Sequence, residues 1–195
     1  MTTQSNRYTT VAITLHWLIA IFIVVMIFAG WQTDDMREAM LEGDTSVDPQ
    51  TVALLFNWHK TFGILILALS VFRLVWRLTH KTPPLPAGMN AFERFAAVAT
   101  HWAFYVLIIG MPLAGWITAS ASGFPSFFFN SESLPIPELM GENEAVYDIV
   151  SQIHSKSAWA ILVLLGLHIA AALKHHFMDR DDVLTRMVVF LKPRG

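Results

Sequence analysis

The sequence predicts an all-α fold: an antiparallel four-helix bundle that crosses a membrane four times. Three observations carry this. The 195-residue chain is 54% hydrophobic with mean hydropathy +0.49 and only 14% charged residues, too few charges to coat a water-soluble globule of this size. Four stretches are apolar over the roughly 20 residues that a spanning helix needs. All seven tryptophans lie near the ends of those stretches, as interfacial aromatic belts require.

The first span is read at 11–31. It follows a polar start, and the apolar run is too long for a signal-peptide core and lacks a small-residue cleavage pattern, so it is expected to be retained. The second is read at 52–78 and the third at 92–119, with Pro112 inside it as an expected kink. The fourth is read at 153–177, with a polar beginning. The whole of 1–195 is expected to form one domain. Trp17, Trp58, Trp102 and Trp159 mark span starts; Trp31, Trp76 and Trp116 mark span ends. Thr82-Pro83-Pro84-Leu85-Pro86 stops the second helix and stiffens the connector to the third. The loop at 120–151 is long and carries Pro125, Pro135 and Pro137; it is expected either to cap one face or to be mobile.

Charge predicts direction. Arg7, Arg73, Arg77, Lys81, Arg94, Lys174, Arg180, Arg186, Lys192 and Arg194 fall on one side, and only Arg37, Lys60 and Lys156 on the other. The loops at 32–51 and 120–151 hold most of the acids. Lys and Arg accumulate on the cytoplasmic side, so both termini are expected there, in the bacterial inner membrane. The net charge of −2 gives no sign of a nucleic-acid partner.

The chain has no cysteine and eight histidines. Thiolate zinc sites, cysteine-held iron–sulfur clusters and covalent c-type haem are thereby excluded. Polar side chains inside a lipid-spanning helix are costly and are commonly functional. His59 and His154 each open a span from the outer side and are the two outer histidines. His168 lies fourteen residues beyond His154, about 21 Å deeper and within about 40° of the same helix face. His16, fifteen residues before Trp31, falls at about the depth of His168. Two pairs at two depths suit two planar haems with paired axial imidazoles, whereas zinc needs three or four ligands at one point.

An internal repeat leaves the inner pair open. The first span holds Thr14-Leu15-His16-Trp17 and ends Ala29-Gly30-Trp31; the third holds Thr100-His101-Trp102 and ends Ala114-Gly115-Trp116. By pattern, His101 is therefore as good a partner for His168 as His16. His175 and His176, two turns beyond His168, are read either as helix-end polar residues or as part of a quinone or proton site. His80 is expected to be solvated. Lys60, Lys156, Arg73, Arg77 and Trp17 are candidate partners of haem propionates, or cations snorkelling to headgroups.

In their order and spacing, His16-Trp17, His59-Lys60-Thr61-Phe62-Gly63, Arg73-Leu74-Val75-Trp76-Arg77 and the His154…His168…His175-His176 series resemble the bacterial cytochrome b561 family across nearly the whole chain. The resemblance implies a di-haem protein of the inner membrane, with His16 and His168 on the inner haem and His59 and His154 on the outer one. It also implies electron exchange between the outer face and the quinone pool, with superoxide as one possible donor and ubiquinone as acceptor. A second reading is a haem-bearing anchor that relays electrons for a periplasmic redox protein docked on the acidic loops. A third is a haem-free transporter or scaffold.

Overall fold

Four long apolar helices form because every backbone N–H and C=O must be satisfied within its own segment where water is absent. In the computed structural model, which describes residues 7–188, 190 and 191, the helices are α1 (Thr10–Leu41), α2 (Pro49–Thr79), α3 (Ala91–Ala121) and α4 (Glu144–Lys174). Lys192 and Arg194, counted above toward orientation, lie outside the described residues. Each helix is long and apolar enough to cross a bilayer. No strand occurs among the described residues; the sole β-type pairing there is a single bridge between Phe127 and Pro135.

Side-chain caps set the starts. Thr9 accepts from the Ala12 amide in α1, and Asp48 accepts from the Gln50 and Thr51 amides ahead of α2, with Pro49 in the first turn. Asn90 and Glu93 form a reciprocal capping box on α3, and Asn143 caps α4; such caps satisfy amides that have no partner within the helix. The α3 helix continues through Pro112.

The helices overrun the apolar stretches. The helix containing the first span runs ten residues past Trp31 to Leu41, and α4 begins nine residues before Ile153. Hydropathy marks where lipid ends, but a helix continues into water while its residues remain good helix formers, as Met36-Arg37-Glu38-Ala39-Met40 are.

The core is a narrow seam. Leu15, Ile19, Ile23 and Ile27 recur every fourth residue along α1 and meet Ile66, Tyr105, Ile108, Ala158 and Ile161. Large apolar side chains such as Ile21, Val25, Phe72, Val106, Val163 and Leu167 point outward, the surface that lipid covers. In backbone packing α1 lies against α2, α2 against α3 and α3 against α4, whereas α1 and α4 stand further apart and meet through side chains such as Trp31 on Trp159, with ring centres 4.7 Å apart.

The end at which α1 begins and α4 finishes is the near end, and the opposite one is the far end. At the far end the 122–143 segment is tied down onto α2. Asn57 Oδ1 accepts from the Phe127 amide and Thr61 Oγ1 from the Phe129 amide, each at 3.1 Å, and Trp116 donates to the Pro137 carbonyl at 2.8 Å. Ile136, within this segment, is buried. Of the two expectations for this loop, the structure bears out the cap. At the near end, the chain after α4 makes a π-turn at His175–Asp179 and folds back under the bundle, where Trp17 donates to the Met187 carbonyl at 2.9 Å.

Candidate haem sites

Antiparallel helices place the sequence-predicted histidines in two layers. At the far end, His59 of α2 and His154 of α4 come together with ring centres 6.1 Å apart and planes 82° apart. At the near end, His168 of α4 lies 6.3 Å from His16 of α1 and 5.7 Å from His101 of α3, ring centre to ring centre. Phe104 packs edge-on to His168 at 5.4 Å. The near layer is therefore a cluster of three histidines.

A fourteen-residue step generates both layers. The pairs are His16 and Gly30 on α1, His59 and Arg73 on α2, His101 and Gly115 on α3, and His154 and His168 on α4. The far layer thus reads Gly, His, Gly, His around the bundle, and the near layer His, Arg, His, His. The two glycines were legible as part of the Ala-Gly-Trp repeat, but their use was not. A Cβ built on Gly30 would lie 2.8 Å from Cε1 of His59, and one on Gly115 would lie 2.8 Å from Cε1 of His154. Each far-layer imidazole therefore occupies space that any other residue at the facing position would contest.

Hydrogen bonding distinguishes the rings. His154 Nδ1 lies 2.9 Å from the Met111 carbonyl oxygen; donation there leaves Nε2 with its lone pair available to a metal. His59 Nδ1 is buried with no hydrogen-bond partner. Two imidazoles joined through an iron, with metal–nitrogen bonds of about 2 Å, have ring centres about 6 Å apart. The far pair meets that spacing, and the residues present fit a planar, bis-histidine-ligated group. A zinc-like convergence is not seen in either layer: among the described residues, the one set of three His or carboxylate ligands within reach of a common ion is His175, Asp179 and Asp181 near the chain end. There His175 Nδ1 is already engaged, 2.7 Å from Asp181 Oδ2 and 3.1 Å from Asp179 Oδ2.

The candidate cations separate. Arg73 enters the near layer: it donates to the Ala12 carbonyl at 2.7 Å and stands 3.4 Å from His16 Nδ1. Arg77, one turn on, lies over the Tyr105 ring at 5.7 Å. Lys60 donates to Ser126 Oγ at 2.7 Å, which places it under the far-end cap. Lys156 does not join His154. It is exposed and bonds to Gln152 at 3.2 Å, because two residues along a helix turn the side chain by about 200°. Trp17 packs edge-on to His16 at 5.3 Å. His175 is buried, and His176 lies edge-on to Phe177. His80, expected to be solvated, is exposed and stacks on Trp76.

Comparison with known proteins adds to this geometry. The family model described as prokaryotic cytochrome b561 matches residues 7–189. The chain is 32% identical to cytochrome b561 homolog 2 of Escherichia coli (strain K12) over 189 residues, covering 96% of this chain and 94% of that one. It is 27% identical to the probable superoxide oxidase CybB of Yersinia pestis, covering 97% and 99%. It is 25% identical to cytochrome b561 homolog 1 of Escherichia coli (strain K12), covering 94% and 97%.

Proposed function

The chain belongs to the prokaryotic cytochrome b561 family, and from that premise we propose that it carries electrons across the membrane through two b haems, each held by two histidines. It is a multi-pass protein of the bacterial inner membrane, and membership implies haem b as its cofactor and electron transfer as its chemistry. Two axial imidazoles leave a haem iron no open position, so such a haem exchanges electrons rather than binding oxygen.

The observation that carries the reading is the far-layer pair, His59 and His154, 6.1 Å apart with a glycine facing each ring. These two are the proposed ligands of the far-end haem. His16 and His168 are the proposed ligands of the near-end haem. Packing supports His16 over His101 here. His101 and His168 come from α3 and α4, which pack closely; helices packed at about 8–10 Å leave little room for a macrocycle between facing side chains. His16 and His168 come from α1 and α4, which are further apart, as are the helices of the far pair.

Around the near pair, Arg73 and Arg77 are the proposed donors to haem propionates. Lys60 is the corresponding far-end candidate. By the Lys and Arg bias the far end faces the periplasm. The proposed donor there is superoxide or another small redox species, and ubiquinone is the proposed acceptor near His101, His175 and His176. Two superoxide anions supply the two electrons that one quinone takes up, with two protons drawn from the near side. His175, joined to Asp181 and Asp179, is the proposed proton donor.

The second reading, an electron-relay subunit for a basic periplasmic partner, is favoured by the projection of α1, where Asp34, Asp35 and Glu38, with Glu42 at the C-cap, extend beyond Trp31. Stopped-flow reduction of the purified protein by superoxide, quinol and ascorbate separates the readings. Fast reduction by superoxide, followed by electron delivery to ubiquinone, is the expected result. Slow reduction by superoxide alongside strongly salt-dependent reduction by a basic cytochrome selects the second. Fewer than two b haems per chain in a pyridine haemochrome assay overturns both as stated.

A further inference from the structure

Glycine inside a helix is disfavoured relative to alanine, and a close approach of another group is one reason for it to stand there. A Cβ on Gly63, Gly110 or Gly166 meets no side chain or backbone of another helix within 4 Å. Gly30 and Gly115 differ. Each sits fourteen residues beyond a histidine in the internal repeat, and each abuts an imidazole from the neighbouring helix of its own hairpin, α2 for Gly30 and α4 for Gly115.

We propose that Gly30 and Gly115 are the positioning residues of the far-end haem site, each fixing the plane of one axial imidazole, Gly30 for His59 and Gly115 for His154. The inference rests on the reading of His59 and His154 as ligands. It goes further by assigning the near-perpendicular ring planes to the two glycine helices. A backbone at Gly30 and Gly115 lets each ring lie with its Cε1 edge flat against the neighbouring helix. The hypothetical Cβ contacts run 2.8, 3.4 and 3.7 Å to Cε1, Nδ1 and Nε2 of His59, and 2.8, 2.9 and 3.5 Å to the same atoms of His154. At separations under 3 Å something must shift, and the imidazole is the side chain in the way.

The two sites should not respond alike. His59 has no hydrogen bond at Nδ1, so its ring turns away from a new methyl group while Nε2 keeps its place. His154 is also held by the Met111 carbonyl. Its ring cannot turn without breaking that bond, and lost ligand-orienting contacts weaken metal binding roughly 10- to 100-fold. Gly30→Ala is therefore expected to retain both haems and to change the largest g value in the low-spin EPR signal of the far-end haem. Gly115→Ala is expected to lose far-end haem. In both, the near-end haem stays, which also reports that the bundle has folded.

The test measures haem per chain and EPR on the full-length protein in membranes, for Gly30→Ala, Gly115→Ala, Gly110→Ala and His154→Ala. The expected pattern is an altered EPR signal for the first, loss of the far-end haem for the second, and parental behaviour for the third. Parental haem content and EPR in both Gly30→Ala and Gly115→Ala overturn the assignment while His154→Ala still loses one haem. If His154→Ala keeps both haems, the ligand reading fails and the assignment fails with it. If Gly115→Ala does not accumulate, Gly30→Ala decides alone, and an unchanged EPR signal overturns the proposal.

Discussion

Arg73 is the counterpart of His168: each stands fourteen residues beyond a far-layer histidine, Arg73 beyond His59 on α2 and His168 beyond His154 on α4. The far layer keeps the symmetry of the two hairpins, and the near layer breaks it. Where a fourth histidine would stand, a guanidinium lies 3.4 Å from His16 Nδ1 and is fastened to the Ala12 carbonyl. In the far layer the cation beside His59 is Lys60, tied to Ser126 Oγ rather than to an imidazole.

The near layer holds one histidine more than a bis-histidine haem uses. His16→Ala is expected to leave one haem per chain and His101→Ala two, read by the pyridine haemochrome assay. The reverse pattern would move the near-end ligand to α3 and sink the packing argument made for α1.

The far-end cap depends on two side-chain acceptors on α2. Asn57→Ala and Thr61→Val deprive the Phe127 and Phe129 amides of their partners, at a cost of about 1 kcal/mol each. Hydrogen exchange at those two amides should quicken, and the segment around Phe128 should become more open to protease, with haem content unchanged. Unaltered exchange would mean that the cap is held elsewhere.

The absence of cysteine makes orientation easy to test. A membrane-impermeant thiol reagent is expected to label Ser46→Cys in intact cells or spheroplasts and to reach Thr82→Cys only after lysis. Labelling in the opposite sense would invert the proposed topology and place the far-end site in the cytoplasm.

Asp48 gives the first turn of α2 a pH dependence. Hydrogen bonds from the Thr51 side chain, then from the Thr51 and Gln50 amides, hold its carboxyl below the ordinary value of about 4. With the folded pKa depressed, the cap's contribution is complete above the unfolded value and is lost as pH falls through the folded one. Protection of the Thr51 amide should therefore be constant across neutral pH and decline only below about pH 4. In Asp48→Asn the decline should disappear; its persistence would place the titrating group elsewhere.

Much of this molecule can be read from its residues. Apolar length located four helices because lipid demands about 20 apolar residues per crossing, and the fourteen-residue step located His154 and His168 on one stripe because helical geometry repeats along a single chain. The helices run on to Leu41 and start back at Glu144, beyond the apolar stretches, because polarity ends a membrane span without ending a helix. Only the tertiary structure decided which side chains meet. It set His59 ring to ring with His154, placed both His16 and His101 beside His168, turned Lys156 away, and laid Gly30 and Gly115 against the far imidazoles. The physical reason is that these helices are apolar on nearly every face. A soluble helix declares its buried side by contrast with water, whereas a helix wrapped in lipid carries no such contrast, and its rotation against its neighbours is fixed by packing alone.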